Sequence, residues 1–203
     1  MANDKTTIKG VEQGRAKFAY ECANQVLSLK EFRYNQRHMK TNEILKKMFQ
    51  DKFKQNIKTD EGKKVLDDFL EDPLNKIKEY SSSSGFKKNI ADFYEKRQKE
   101  YKSYVKKIPM LIKTNGLGAT FAYMLSKGGT YEFIGNQVLE WLKNDEKGIL
   151  ANANEINSFK ELTEKIVSLN SPAYRALTIE ILSFFNWLRR FAEGLIEGED
   201  ENA

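Results

Sequence analysis

Few side chains of this 203-residue chain have the types and spacing that catalysis requires. The one histidine, His38, stands among basic residues such as Arg37 and Lys40, with no acid or thiol beside it. A solvated surface histidine is therefore favoured over a catalytic one. No nucleophile is paired with a general base in a recognisable pattern. The sequence accordingly predicts a protein that is not an enzyme.

Two further segments resemble ligand sites only superficially. The densest acidic cluster lacks His and Cys ligands, so a solvated helix end is favoured over a divalent-metal site. Residues 115–120, Asn-Gly-Leu-Gly-Ala-Thr, lack the spaced lysine of a phosphate loop and follow no strand, which favours a helix cap and a helix–helix contact. We predict no metal or other cofactor. A metal-dependent nuclease remains a minor alternative, centred on the acids Asp67, Asp68, Glu71 and Asp72.

Basic residues carry the remaining chemical signal. Five acids follow Arg190, so that up to Ala192 the chain holds 34 basic and 24 acidic residues. Residues 30–64 contain eleven basic and five acidic residues, and residues 87–113 contain nine and three. This asymmetry favours a polyanionic partner, most often a nucleic acid.

Cysteine content and hydropathy exclude several protein classes. Cys22 has no partner thiol, which excludes a disulfide scaffold or a zinc ribbon. The N-terminus lacks an apolar signal segment, and no apolar run approaches the roughly eighteen residues that a membrane span needs. We expect a cytoplasmic protein with no membrane partner.

Helical periodicity runs through the whole chain. With three prolines and no alternating β-branched runs, the sequence predicts an all-α, compact helical bundle in one domain, 1–203, with an acidic tail at 197–203. The predicted caps are Thr130, Ser158 and Ser171, with a left-handed cap at Asn115-Gly116. Pro109 is expected to kink its helix. Helices are expected at about 11 to beyond 30, 42–57, 62–70, 87–115, 117–126, 131–143, 158–169 and 174–192, with a serine loop at 81–85.

The last of these helices is the most informative element. Its apolar positions step by three and four, which predicts burial on most sides. Arg175 and Arg189 lie fourteen positions apart, so they fall within about 40° of each other on the remaining polar strip. Such a helix can serve as both core and contact surface. The apolar stripe consists of Tyr174, Leu177, Ile181, Phe184, Leu188, Phe191 and Leu195.

Two segments together resemble the small subunit of type III-B CRISPR effector complexes, the Cmr small subunit. The first runs from Tyr104 to Lys127 and reads YVKKIPMLIKTNGLGATFAYMLSK; the second combines Tyr174-Arg175, Thr178, Glu180 and WLRRFA at 187–192. Arg15, Ala16 and Ala19 suit the first helix of the same family. The resemblance covers roughly 14–30 and 101–193. Residues 31–99 depart from the pattern and are interpreted as an enlarged helical insertion after the first helix.

The resemblance implies a non-catalytic subunit of a ribonucleoprotein in antiviral defence. Its expected partners are further copies of itself, stacked head to tail, and other Cmr subunits, including the backbone subunits and the large polymerase-like subunit. Its basic surface is expected to line the channel in which guide RNA and target RNA pair. An all-α adaptor that binds only protein is the alternative.

Contact with a paired RNA backbone requires dispersed cations on a rigid scaffold, without base-reading side chains. Each candidate has a simpler structural alternative: Lys113 can cap a helix end, and Arg175 or Arg189 can pair with Glu180 or Glu193. Exposed tyrosines can stack on bases, although a core or subunit contact is favoured for Tyr94, Tyr101, Tyr104 and Tyr123. The predicted RNA-binding residues are Arg15, Lys17, Lys106, Lys107, Lys113, Asn115, Lys127, Arg175, Arg189 and Arg190.

Overall fold

Nine α-helices and one short strand pair make up the part of the chain that the computed structural model describes, residues 8–29, 33–34, 37–38, 41–145 and 147–197. The predicted all-α class is confirmed, with one antiparallel pair of two-residue strands in addition. Two 3₁₀ turns lie at Asn56–Lys58 and Ala153–Glu155. The elements are α1 Ile8–Ser28, β1 Arg33–Tyr34, β2 Arg37–His38, α2 Thr41–Lys52, α3 Asp60–Glu71, α4 Pro73–Ser81, α5 Gly85–Asn115, α6 Leu117–Lys127, α7 Gly129–Asn144, α8 Phe159–Val167 and α9 Ser171–Leu195.

The core forms where α1 and α5 pack along α9. An aromatic layer joins α1, α7 and α9: the Phe18 ring lies 5.5 Å from Trp141 and 6.0 Å from Phe184, between ring centroids. The Cys22 side chain is buried on the same face of α1, and burial raises its thiol pKa. The predicted stripe of α9 is confirmed at its centre, since Leu177, Ile181, Phe184 and Leu188 are fully buried, while Tyr174, Phe191 and Leu195 are half-buried.

The first helix is shorter than its sequence pattern predicts. The expectation that it continues beyond residue 30 is wrong, because α1 ends at Ser28 and Leu29 adopts a left-handed φ of 50°. That conformation costs a branched residue about 1–2 kcal/mol. Burial of the Leu29 side chain offsets the cost.

Helices α2 to α4 form a lobe held to α5 by aromatic contacts. Phe93 of α5 meets Phe49 at 4.9 Å and Phe53 at 5.5 Å, and Tyr94 meets Phe69 at 5.3 Å. Helix α2 ends at Lys52 rather than near residue 57, and a 3₁₀ turn follows. The lobe also contains α4, which the sequence did not predict. Pro73 ends α3 as expected, but it also occupies the first turn of α4.

Several predicted helix ends differ from the observed ones. Thr130 does not cap α7, because Gly128 is the N-cap and Thr130 lies within the helix. Asn170, not Ser171, caps α9 by accepting a hydrogen bond from the Ala173 N–H. Gly116 ends α5 with φ 84° and ψ 161°, which is not the left-handed helical conformation that we predicted. The cap at Ser158 is confirmed, since its hydroxyl accepts from the Glu161 N–H.

Three sequence-based expectations stay predictions. Helix α5 runs unbroken past Pro109, and a kink there stays a prediction. His38 lies in β2, but its side chain is outside the described residues, as is the acidic tail beyond residue 197.

Among the described helices, none combines the length and apolar character needed to cross a bilayer.

Candidate nucleic-acid interface

Helices α5 and α9 pack side by side, and their neighbouring edges carry basic residues that were predicted to bind RNA. Lys106 of α5 lies 3.9 Å from the carboxylate of Glu193 on α9, and Lys102 donates a 2.9 Å hydrogen bond to the Ile196 carbonyl. The helices therefore face each other along these edges. Lys113 follows Lys106 by seven positions, which places both within about 20° on α5.

The corresponding edge of α9 carries two arginines. Arg175 and Arg189 precede Glu193 by eighteen and four positions, so both lie within about 40° of it on the helix surface. Arg175, Arg189 and Lys113 are exposed. None of these three has a hydrogen bond or ion pair within the described ranges, so the capping and pairing alternatives are not observed. We call Lys106, Lys113, Arg175 and Arg189 the basic edge.

A hydrogen bond fixes one end of the basic edge. The backbone N–H of Gly118, at the start of α6, donates a 2.9 Å hydrogen bond to the Tyr174 hydroxyl of α9. A Cβ at Gly118 would lie 3.2 Å from Val167 Cγ1 of α8, so glycine at this position permits the close approach of α8 to α6. The contact places the start of α9, with Arg175, beside the end of α5.

Replacing Tyr174 by phenylalanine is expected to lower the free energy of unfolding by about 1–3 kcal/mol, because the buried Gly118 N–H loses its acceptor. Urea denaturation followed by circular dichroism measures this change. Tyr20→Phe is the matched control, since that tyrosine is exposed and contacts Phe191 through its ring. Equal stability of the two variants would contradict a stabilising hydrogen bond between Tyr174 and Gly118.

The other exposed candidates lie away from the basic edge. Lys17 is on the solvent side of α1, and Lys107 is about 100° from Lys106 around α5. Lys127 lies over the Tyr123 ring, 5.5 Å from its centroid, and Arg190 lies 5.5 Å from the Trp187 ring. Asn115 is exposed at the last position of α5. The structure thus collects four of the ten predicted residues on one surface.

Arg15 is the prediction that the structure corrects. Its side chain is buried, with 3% of the residue exposed, and its guanidinium donates to both carboxylate oxygens of Glu180 at 3.0 and 2.9 Å. It also donates to Glu12. Arg15 is thus a core ion-pair residue and cannot reach a phosphate. Arg15 lies on the same side of α1 as the buried residues Phe18 and Cys22, but its partner Glu180 is 165 positions away in the sequence.

Glu180 is the centre of a buried polar network. Besides Arg15, its carboxylate accepts hydrogen bonds from Trp141 Nε1 at 3.2 Å and from Lys147 Nζ at 2.7 Å. Burial opposes its ionisation, but hydrogen bonds from Arg15 and Lys147 outweigh that effect and hold its pKa below the ordinary value. The network connects α1, α7 and α9, and so orients the helix that carries Arg175 and Arg189.

The acidic cluster lies at the end of α3, among basic side chains. Asp68 pairs with Lys76 at 3.0 Å, and this contact lowers the Asp68 pKa. Lys63 and Lys64 interleave the acids on the same helix. In the part of the chain that is described, no three His, Cys, Asp or Glu side chains converge to hold a metal ion.

The four candidate tyrosines separate into two groups. Tyr94 and Tyr101 are buried, and their hydroxyls donate to the Leu27 carbonyl and, at 2.8 Å, to Gln137 Oε1. These two tyrosines cannot stack on RNA. Tyr104 is half-buried, whereas Tyr123 is exposed.

Comparison with known proteins identifies related chains. Residues 83–195 match the family described as CRISPR-associated protein (Cas_Cmr5). The CRISPR system Cmr subunit Cmr5 of Thermus thermophilus is 31% identical over 98 residues, which cover 48% of this chain and 76% of that protein. The crystal structure of a CRISPR-associated Cmr5 family protein from Thermus thermophilus covers 61% of this chain and 89% of its own, with 24% identity and a TM-score of 0.40.

The family match differs in extent from the sequence-based resemblance. It begins at residue 83, so residues 83–99, which we assigned to the insertion, lie within the matched segment. Helix α1 and the lobe of α2 to α4 lie before it.

Proposed function

Because this chain belongs to the CRISPR-associated Cmr5 family, we propose that it is a non-catalytic small subunit of a Cmr effector ribonucleoprotein that contacts RNA phosphates through the basic edge. In this role it acts in antiviral defence in the cytoplasm. Guide RNA pairing supplies sequence recognition, so the subunit itself reads no bases through hydrogen bonds.

Three cations of the basic edge are the observation that carries the proposal. Lys113, Arg175 and Arg189 have no internal partner in the described ranges, so phosphate binding would break no ion pair. The Tyr174–Gly118 hydrogen bond holds α9 against α6, and the core along α9 holds α5 in place. Cations on a rigid scaffold neutralise phosphates without ordering a loop, which keeps the entropic cost of binding low.

Exposed apolar side chains beside the basic edge support contact with other subunits. Met110 lies between Lys106 and Lys113 on α5 with 67% of its surface exposed, and Ile179 lies on α9 with 66% exposed. We propose that these side chains pack against a second copy or another Cmr subunit. Stacked copies would bind RNA with an affinity that one copy lacks.

Titration of labelled single-stranded and duplex RNA across a salt series tests the RNA contact. We expect sequence-independent binding that weakens steeply between about 50 and 200 mM salt, and a loss of about tenfold in Lys113→Glu/Arg175→Glu. Arg189→Glu/Arg190→Glu should behave similarly. Lys63→Glu/Lys64→Glu, on α3, makes the same change in net charge away from the edge and serves as the control.

Two outcomes would contradict the proposal. An equal loss in the α3 control would show a general effect of net charge rather than a site. No binding by the unmodified protein at low salt would favour the alternative, an adaptor that binds only protein, for which Met110 and Ile179 supply the contact surface.

A further inference from the structure

We infer that Tyr123, supported by Tyr131 and Tyr104, forms a stacking platform for one unpaired base of a bound RNA. Lys127 and Lys107 are then placed to contact the flanking phosphates. The inference rests on the proposed RNA contact and adds a base-dependent component on a different face of α5. We call Tyr104, Tyr123 and Tyr131 the tyrosine cluster.

Three helices contribute one ring each to the tyrosine cluster. The Tyr104 ring of α5 stacks on Tyr131 of α7 with centroids 3.9 Å apart and ring planes at 5°. The Tyr123 ring of α6 meets Tyr131 at 5.6 Å and 74°. Tyr131 is buried and stacks on the half-buried Tyr104, and this pair supports the outer ring. A ring held in place loses little side-chain entropy when a ligand stacks on it.

Tyr123 leaves 43% of its surface exposed, unlike a core tyrosine. The outward positions near it on α6 are small, since Ala119, Ala122 and Ser126 are all exposed. These short side chains leave space beside the ring for a flat ligand. Stacking on a tyrosine face is available to every base, so the contact is independent of sequence.

Two lysines flank the tyrosine cluster. Lys127 Nζ lies 5.5 Å from the Tyr123 centroid, and Lys107 is exposed three positions after Tyr104. Neither lysine has a carboxylate partner within the described ranges. The Lys127 ammonium can therefore turn from the ring to a phosphate when a base occupies the platform. Aromatic rings interleaved with cations are the usual arrangement for binding single-stranded RNA.

The test compares two oligomers of equal length and charge, oligouridylate and its abasic ribose-phosphate analogue, with the full chain at about 50 mM salt. We expect the unmodified protein to bind oligouridylate roughly tenfold more tightly than the abasic oligomer. Tyr123→Ala should abolish that difference without weakening abasic binding, and Tyr123→Phe should preserve it. Tyr20→Ala is the control, because Tyr20 is 41% exposed on another surface and should leave both affinities unchanged.

The outcomes separate this inference from the proposed function. Equal affinity of the unmodified protein for the two oligomers overturns the stacking platform but does not contradict the proposed function. Tyr123→Ala leaving both affinities unchanged, or weakening both equally, also overturns it, because neither result depends on the presence of a base. No binding of either oligomer overturns the proposed function. Lys113→Glu/Arg175→Glu should weaken both oligomers by the same factor.

Photocrosslinking gives a second measurement that does not depend on a variant. RNA containing 5-bromouridine should crosslink to the peptide that contains Tyr123, as mapped by mass spectrometry. Crosslinks confined to other peptides would overturn the assignment. Thermal unfolding of each variant verifies that the exposed substitutions leave the fold intact.

Discussion

Replacing Glu180 by alanine is expected to lower the free energy of unfolding by about 3–5 kcal/mol, because it leaves the buried Arg15 guanidinium without its principal partner. The same change removes the acceptor for Trp141 Nε1 and Lys147 Nζ. Urea denaturation at neutral pH measures the loss. The buried pair connects the first helix of the chain to the last.

Two further variants distinguish a buried pair from an ordinary ion pair. Glu12→Ala removes the other carboxylate that Arg15 contacts, but that side chain is 47% exposed, so we expect a loss of at most about 1 kcal/mol. Arg15→Met/Glu180→Leu removes both buried charges and should recover most of the stability that Glu180→Ala loses. Equal losses of stability in Glu180→Ala and Glu12→Ala would contradict the conclusion that Arg15 and Glu180 form a buried ion pair.

Acid is expected to destabilise the protein partly through the same carboxylate. The pKa of Glu180 is lowered by folding, so its contribution is complete above its ordinary value of 4.5 and is lost as the pH falls through the lower folded value. Glu180→Gln should therefore reduce the acid dependence of the free energy of unfolding. Asp145 contributes to the acid dependence of the free energy of unfolding with the opposite sign, because burial and the Glu180 charge raise its pKa. Denaturation at several pH values in the Asp145→Asn background isolates the Glu180 contribution.

Gly135→Ala is expected to lower the free energy of unfolding by about 1–3 kcal/mol, because the core at this position has no room for a methyl group. A Cβ there would lie 2.4 to 2.5 Å from three carbons of the Phe159 ring, and both residues are buried where α7 meets α8. Helix propensity alone would give the opposite sign, a gain of about 1 kcal/mol. Thermal denaturation measures which effect is larger.

The matched control is Gly194→Ala in α9, where a Cβ meets no atom within 4 Å. That variant should be as stable as the unmodified protein or more stable. Gly135→Ala/Phe159→Leu should recover part of the loss, because the smaller side chain leaves room for the methyl group. If Gly135→Ala were as stable as Gly194→Ala, the close approach of Phe159 would not be a feature of the folded protein.

The apolar stripes could be predicted from sequence because burial repeats with the helix period. Phe18 and Cys22 on α1, and Leu177 and Phe184 on α9, are buried as their spacing indicates. Caps were less predictable because neighbouring residues have similar chemistry. Asn170 and Ser171 can both accept from a helix N–H, and backbone dihedrals that the sequence does not reveal decide between them. Helix α4 was missed because Pro73 was interpreted only as the end of α3.

The candidate site was predictable in part. Helical phase places Arg175 and Arg189 on one polar strip, and both are exposed in the structure; their contact with RNA stays a prediction. The fate of Arg15 was not predictable, because Glu180 lies 165 positions away and only folding brings them together. The tyrosine cluster also depends on three separate helices.

Aromatic contacts join α1 and the lobe to α5, α7 and α9. Because of these contacts, the segment that matches the family cannot be exchanged between proteins as an independent unit. Rings on α5 and α9, within residues 83–195, rest against Phe49, Phe53 and Phe18, which lie before residue 83. Excising the matched segment would turn those inner faces to water. A chimera that exchanges this segment with a relative's would need compensating changes in the rings that precede it. The packed core thus extends beyond residues 83–195, the segment that matches the family model.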